Sequence, residues 1–548
     1  MAQLSVSPVS LLRAATLAFA IFIPVATGSL HAQTACTVEP AVSTSAVQHL
    51  LNDKKYDDAY TLAKQTAEAA GKDGTPEADF VTAQAELVKT QLSLRRTHEA
   101  LAGAESALKR YPENPRLHDI LGEVHFKRGE IPLAALSFEA SLKLDPCSAQ
   151  THYDVARYNH LNSQFLSEQK QLNVAHKLAP HNERITHAWE ASESAARPLS
   201  ERLRSLDQQL TRTDLSPAER ASLERHLAIL QSVSKGSCSI THPTDKAVLP
   251  LTDVGLASSY SGTSIGLKMS FNDKPATLQL DTGASGISIS QSVAKAAGLI
   301  TEAQVSAYGI GSAKDMPEDL AHVDKLLIGG LEFHNCLVSI MRQDRLHQDG
   351  LIGSDVFSSW IVTIDTSRHQ LRLSPLPALP GEKVESAALE ATGNDAHTTP
   401  RNRYTPPELK DWTPVFRQGH NLLFSTAIND GAPRLFIMDT GASAQGLISI
   451  AAAREATHLG DGVITVRGIS GAAEETMDAE DYTLTFAHVR DQYQHVPALN
   501  LYRLSTEGGA EVSGLIGFST LQKLVISIDY RDSLVHALPI AKSSPNTP

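Results

Sequence analysis

The sequence predicts a multidomain chain, an all-α solenoid of helix pairs followed by two all-β halves. Three observations carry this expectation. Pro112, Pro146 and Pro180 recur every 34 residues through a helix-forming stretch. The string Asp281-Thr282-Gly283-Ala284-Ser285 returns 158 residues later as Asp439-Thr440-Gly441-Ala442-Ser443. Between the copies, residues 377–412 hold Pro377, Pro380, Pro400, Pro406 and Pro407 among polar residues. That composition marks a linker, long enough to let either half move.

The chain has 548 residues, 42% of them hydrophobic, enough for several cores. Its net charge of −13 makes nucleic acid and anionic membrane surfaces poor partners. Residues 1–32 read as a signal peptide: Arg13 precedes an apolar run from Ala14 to Val25, and Leu30-His31-Ala32 offers a cleavage site. A periplasmic or secreted protein follows. Lipidation at Cys36 is disfavoured, because Gln33-Thr34-Ala35 lacks the leucine of such a site. No later segment has the apolar length of a membrane span. Of the four cysteines, Cys36, Cys147, Cys238 and Cys336, the spacings select no pairing, and unpaired thiols are as consistent. No metal-binding motif occurs, and neither metal nor cofactor is expected.

Residues 40–195 carry the period of 34. It is the period of the tetratricopeptide helix pair, which the segment resembles. In the unit starting at Pro115, Leu121-Gly122, Ala134, Phe138 and Pro146 fall at that family's positions. Gly122 and Ala134 let paired helices approach, Phe138 packs between them, and the proline ends the second helix. Three repeats are clear, and a looser pair surrounds Tyr56 to Ala70. Stacked repeats of this number are self-supporting, so residues 36–235 are expected to fold alone. Residues 196–235 continue as capping helices. There Ser216-Pro217-Ala218-Glu219 forms a capping box with proline at the first helical position.

The β halves, 255–376 and 413–540, repeat more than five residues. Leu278-Gln279-Leu280 and Leu435-Phe436-Ile437-Met438 lead into the two aspartates, and turn signals Asn272-Asp273 and Asn429-Asp430-Gly431 precede those strands. Downstream come Gly309-Ile310-Gly311-Ser312 and Gly468-Ile469-Ser470-Gly471, then Leu351-Ile352-Gly353 and Leu515-Ile516-Gly517. Ile364-Asp365 and Ile528-Asp529 close each copy; both aspartates read as structural, since each ends a buried strand and begins a turn.

In these signals the chain resembles aspartic peptidases, and retropepsins more than pepsins. The resemblance implies that each half gives one catalytic aspartate, Asp281 and Asp439. Thr282, Gly283, Thr440 and Gly441 would support them. Gly309, Ile310 and Gly311, with Gly468, Ile469 and Gly471, would form flaps over the substrate. Here two copies are fused, where the viral enzymes use a homodimer. Ala284 and Ala442 replace the hydroxyl residue of pepsin-like enzymes.

Two acids at close range cannot both ionise cheaply, so they share a proton. The ionised one takes a proton from water and the other hydrogen-bonds the scissile carbonyl. The resemblance therefore implies an exported aspartic endopeptidase acting on peptide or protein substrates, with a protein partner on the helical repeats. The alternative is a non-catalytic peptide- or protein-binding scaffold. A third arrangement keeps activity but pairs each half with its twin on another chain. Without a hydroxyl at positions 284 and 442 to favour the charged form, activity is expected to peak at weakly acidic to near-neutral pH.

Overall fold

The computed structural model describes residues 36–40, 45–236, 238–242, 244–255, 263–307, 309, 316–342, 349–381, 400–460, 466–468, 471–473, 476–506 and 508–540. The helices and strands of the described residues lie within one compact unit, Val38–Pro548. The expected export signal, 1–32, lies outside the described residues.

Helices run in pairs: Ala46–Asn52 with Tyr56–Ala70, Glu77–Ser93 with Thr97–Arg110, Pro115–Lys127 with Ile131–Leu144, and Ala149–Leu161 with Phe165–Leu178. The period of 34 has a local cause at each end of the first helix. Asn114, Ser148 and Asn182 each cap a helix, accepting from the N–H of Leu117, Thr151 and Ile185 at 3.2, 3.2 and 3.3 Å. The turn inside each pair contains one left-handed residue, Arg95, Gly129 and Ser163, again 34 apart. Within the Pro115 pair, a Cβ on Gly122 would stand 2.5 Å from the Phe138 ring. Only glycine lets those helices close. The chain continues as Glu183–Ala195, Leu199–Leu210 and Pro217–Ser234. Before the last of these the Ser216–Glu219 capping box forms in both directions.

That last helix leaves the solenoid to pack on strands Ala303–Ala307 and Met316–Ile328 of the first half. Lys235 pairs with Glu302 at 3.0 Å, and Cys238 is disulfide-bonded to Cys336 on strand Leu331–Met341.

Each β half is built around the same layers. A two-residue turn with both residues at positive φ, Asn272-Asp273, joins strands Thr263–Phe271 and Lys274–Asp281. The Asn272 carboxamide accepts from Lys325 N and donates to Ala297 O, both at 3.0 Å. Asn429 does the same in the second half, with Thr483 N at 2.8 Å and Ala456 O at 2.7 Å. Strand Lys274–Asp281 then runs parallel to Gly350–Gly353, and Arg434–Asp439 parallel to Val512–Gly517. These partners are the two apolar-apolar-Gly signals.

The halves join through one sheet. Strands Trp360–Asp365 and Leu524–Asp529 pair antiparallel, with Val362 opposite Ile528 and Ile364 opposite Ile526. Asp365 and Asp529 end these strands. Asp365 accepts from Ser367, Arg368 N and Arg372, and Asp529 from Asp532 N, so both carboxylates close turns.

Two arrangements differ from what composition suggests. First, the solenoid is docked. Phe126, Ile131, Phe138 and Val155 share one buried core with Leu435, Ile437, Leu447 and Leu515 of the second half. Around it, Arg128 and Arg434 both bond Glu130 and Glu455. Second, residues 400–412 are held in place. Arg401 bonds Asp532 at 2.6 Å, Asn402 accepts from Ser167 N at 3.0 Å, and Arg403 donates to Asn162 at 3.1 Å. Polar side chains that read as a linker are here hydrogen-bonded on two sides. Residues 382–399 lie outside the described residues.

Candidate active site

Asp281 and Asp439 end equivalent strands from different halves, and their carboxyl groups lie side by side: the Cβ position of Gly283 is 3.2 Å from Asp281 Oδ1 and 3.0 Å from Asp439 Cγ. Parallel pairing puts Asp281 level with Gly353 and Asp439 level with Gly517. Gly353 N donates to Gly286 O and Gly517 N to Gln445 O, each at 2.7 Å, so each crossing strand holds the end of the loop above it.

The threonines lock the loops together. Thr282 N donates to Thr440 Oγ1 and Thr440 N to Thr282 Oγ1, both at 3.0 Å. Each hydroxyl donates onward across the joint, Thr282 to Met438 O at 2.7 Å and Thr440 to Leu280 O at 2.9 Å. Both side chains are buried, and every polar atom in this reciprocal set has its partner.

The glycines are needed for closeness. A Cβ on Gly441 would lie 2.3 Å from Asp281 Oδ2, and one on Gly283 would lie 3.0 Å from Asp439 Cγ. Gly283 N donates to Asp281 Oδ1 at 2.8 Å. Gly441 N and Ala442 N donate to Asp439 Oδ1 at 2.8 and 3.0 Å.

Loss of water around the pair raises the proton affinity of both acids. Burial and the neighbouring Asp439 charge push Asp281 up to about 8. Burial also raises Asp439, against the pull of the Ala442 and Gly441 amides and the bond from Asp281. Together the two carboxyls hold one proton far above the ordinary range.

The two serines of the repeated string differ. Ser285 Oγ donates to Asp355 at 2.9 Å, while Ser443 contributes its main-chain oxygen to Ser519 Oγ at 2.7 Å. The residues expected to form flaps are placed in part. Strands Ala303–Ala307 and Met316–Ile328 form a hairpin leading to Gly309, whereas Ile310 and Gly311 lie outside the described residues. Gly468 and Gly471 face each other across a second hairpin whose Ile469 lies outside them.

Sequence reasoning did not mark His420, Gln279 or Tyr530. His420 Nε2 lies 2.9 Å from Gly283 O, and since a carbonyl only accepts, this nitrogen carries the hydrogen. Gln279 donates to Gly441 O at 3.2 Å and to Ser264 at 2.9 Å. The Tyr530 hydroxyl is buried against Ser354. Among 22 scattered histidines nothing in the linear order singles out position 420.

Among solved structures, the chain is similar to the aspartic proteinase of Irpex lacteus, at 11% identity over 55% of this chain and 100% of that one, TM-score 0.33. It is also similar to a thermophilic TPR protein of Thermus thermophilus, at 18% identity over 34% of this chain and 95% of that one, TM-score 0.26. No curated protein matches it. The segment that carries Asp281 is similar by sequence to aspartyl proteases: residues 267–356 match the model of the family described as aspartyl protease.

Proposed function

We propose that the protein is an exported aspartic endopeptidase whose two halves form one site within a single chain. The observation that carries this reading is the juxtaposition of the Asp281 and Asp439 carboxyls beside the reciprocal Thr282–Thr440 bonds. Asp439, with two amide donors, keeps the negative charge and takes a proton from water. Asp281 keeps the shared proton and donates it to the scissile carbonyl. The water oxygen bonds the carbonyl carbon, and a tetrahedral diol forms without a covalent enzyme intermediate. The C–N bond then breaks as the leaving nitrogen takes the proton from Asp439 and a diol hydroxyl returns one to Asp281, which restores the dyad. The hairpins at Gly309 and at Gly468–Gly471 are suited to cover an extended peptide by adding strand-like hydrogen bonds.

Export is supported by the apolar leader and by the Cys238–Cys336 disulfide, which needs an oxidising compartment. The repeats offer a place for a protein partner: a groove of about 1210 Å³ lies between their helices and residues 449–451, 499–502 and 509–512 of the second half. The buried Asp119 on its wall keeps one carboxylate oxygen without a partner.

The deciding experiment is cleavage of a peptide library by the purified protein beside Asp281→Asn and Asp439→Asn. Internal cleavage by wild type and its loss in both variants is expected. Wild type with no turnover on any peptide would leave only a binding scaffold.

A further inference from the structure

Both loops have the same five residues, yet their hydrogen bonds differ. On the second loop, the Ala442 N–H donates to the Asp439 carboxylate at 3.0 Å. On the first, the equivalent Ala284 N–H turns to the main-chain oxygen of Asp281 at 3.2 Å. Asp281 therefore has one amide donor where Asp439 has two. Identical strings cannot produce this difference alone, so its cause lies outside them.

The difference that bears on the Gly283–Ala284 peptide itself is His420. It sits with Gly419, at φ 58°, in the two-residue turn between strands Phe416–Gln418 and Asn421–Ile428. Arg417 Nε fixes that turn by donating to Gly419 O at 2.8 Å. His420 reaches from the second half to the Gly283 carbonyl of the first. That oxygen and the Ala284 N–H belong to one rigid peptide plane. Drawing the oxygen toward His420 fixes where the N–H points. Among the described residues the matching Gly441 carbonyl is held by Gln279, at a longer 3.2 Å, by an amide shared with Ser264. The residue equivalent to Gln279 in the second half is Ile437, which has no donor to offer.

We propose that His420 is a positioning residue of the dyad: its hold on the Gly283 carbonyl turns the Ala284 N–H away from Asp281, leaving the shared proton on Asp281 and the charge on Asp439. An N–H donated to a carboxylate favours its charged form, so the acid deprived of one is the better proton holder. The ionisable groups around the pair are His420 itself, Tyr530, and, through Tyr530, Arg417 and Asp355. Arg417 bonds the Tyr530 main-chain oxygen at 2.8 Å and Asp355 is tied to Ser285, so neither bonds an aspartate of the dyad.

The inference rests on the proteolytic reading, and its test separates the two. His420→Gln keeps a donor without a titrating ring; His420→Leu removes the donor. On a cleaved peptide, His420→Leu should lose at least tenfold in kcat, with KM within threefold and both limbs of the kcat/KM pH profile displaced. His420→Gln should keep kcat within threefold. Equal kcat and coincident pH profiles for the two variants would overturn the proposal. Melting from pH 4 to 8 decides independently of turnover. Neither glutamine nor leucine titrates, so a Tm difference between the variants that changes with pH must come through the dyad. It should become constant once Asp281 and Asp439 are both Asn. A difference already constant with the dyad intact overturns the role of His420, even if no peptide is cleaved. A wild type without turnover overturns the protease reading alone.

Discussion

Thr282 and Thr440 exchange hydrogen bonds across the joint of the two halves, each N–H donating to the other's hydroxyl at 3.0 Å. Neither loop can move without breaking bonds in both halves. Thr282→Val keeps the shape but strands Thr440 N and Met438 O, both in buried surroundings. Two unsatisfied groups at about 1–3 kcal/mol each predict a loss of roughly 2–6 kcal/mol. Denaturant unfolding should show it, with kcat reduced at least tenfold. Wild-type stability in this variant would mean that the exchange contributes nothing.

On the proposed function, Asp281 and Asp439 do one job together. Each single Asn variant should lose several orders of magnitude in rate, and the double variant little more, because residues that act as a unit are not additive. Peptide hydrolysis by wild type, both singles and the double reads this directly. A single variant with half the activity would instead indicate that each half pairs with a twin on another chain.

The pH dependence has a definite sign. Both acids have folded-state proton affinities raised above the ordinary aspartate value near 4. Their contribution to stability is present below about pH 4 and is lost as pH rises toward about 8, the position of Asp281. Tm should therefore decline over that window in wild type, and the decline should flatten in the double Asn variant. The pH profile of kcat/KM should peak at weakly acidic to near-neutral pH, falling above about 8 as the shared proton leaves. A peak at about pH 2–3 would contradict this.

Gly129 ties the solenoid to the second half. Its φ is 72°, and a Cβ there would stand 2.4 Å from Glu511 O. Gly129→Ala should cost about 2–3 kcal/mol through backbone strain and loss of the close approach. Melting should show it, with helix content retained by circular dichroism. An isolated fragment 45–236 should be helical but should bind hydrophobic dye, since Phe126, Ile131 and Val155 lose their cover. A dye-silent, cooperatively melting fragment would show that the docking is incidental.

The Cys238–Cys336 bond spans 98 residues. Cys238→Ser with Cys336→Ser should cost about 2–4 kcal/mol, chiefly by freeing the unfolded chain. Urea unfolding of the double variant measures it.

The linear sequence by itself determined the repeat of 34, the two β halves and the pair Asp281 and Asp439. Each depends on local chemistry at fixed spacing: caps at Asn114, Ser148 and Asn182, small residues where helices touch, and a turn following a buried strand. Only the tertiary structure decided that the solenoid docks on the second half. Phe126 and Leu435 are apolar whether they pack within a domain or between domains, and periodicity cannot separate the two. Only the tertiary structure placed His420 at the Gly283 carbonyl and gave two identical strings different hydrogen bonds. That bond joins residues 137 positions apart, and its formation depends on how the halves meet rather than on any neighbour in the chain.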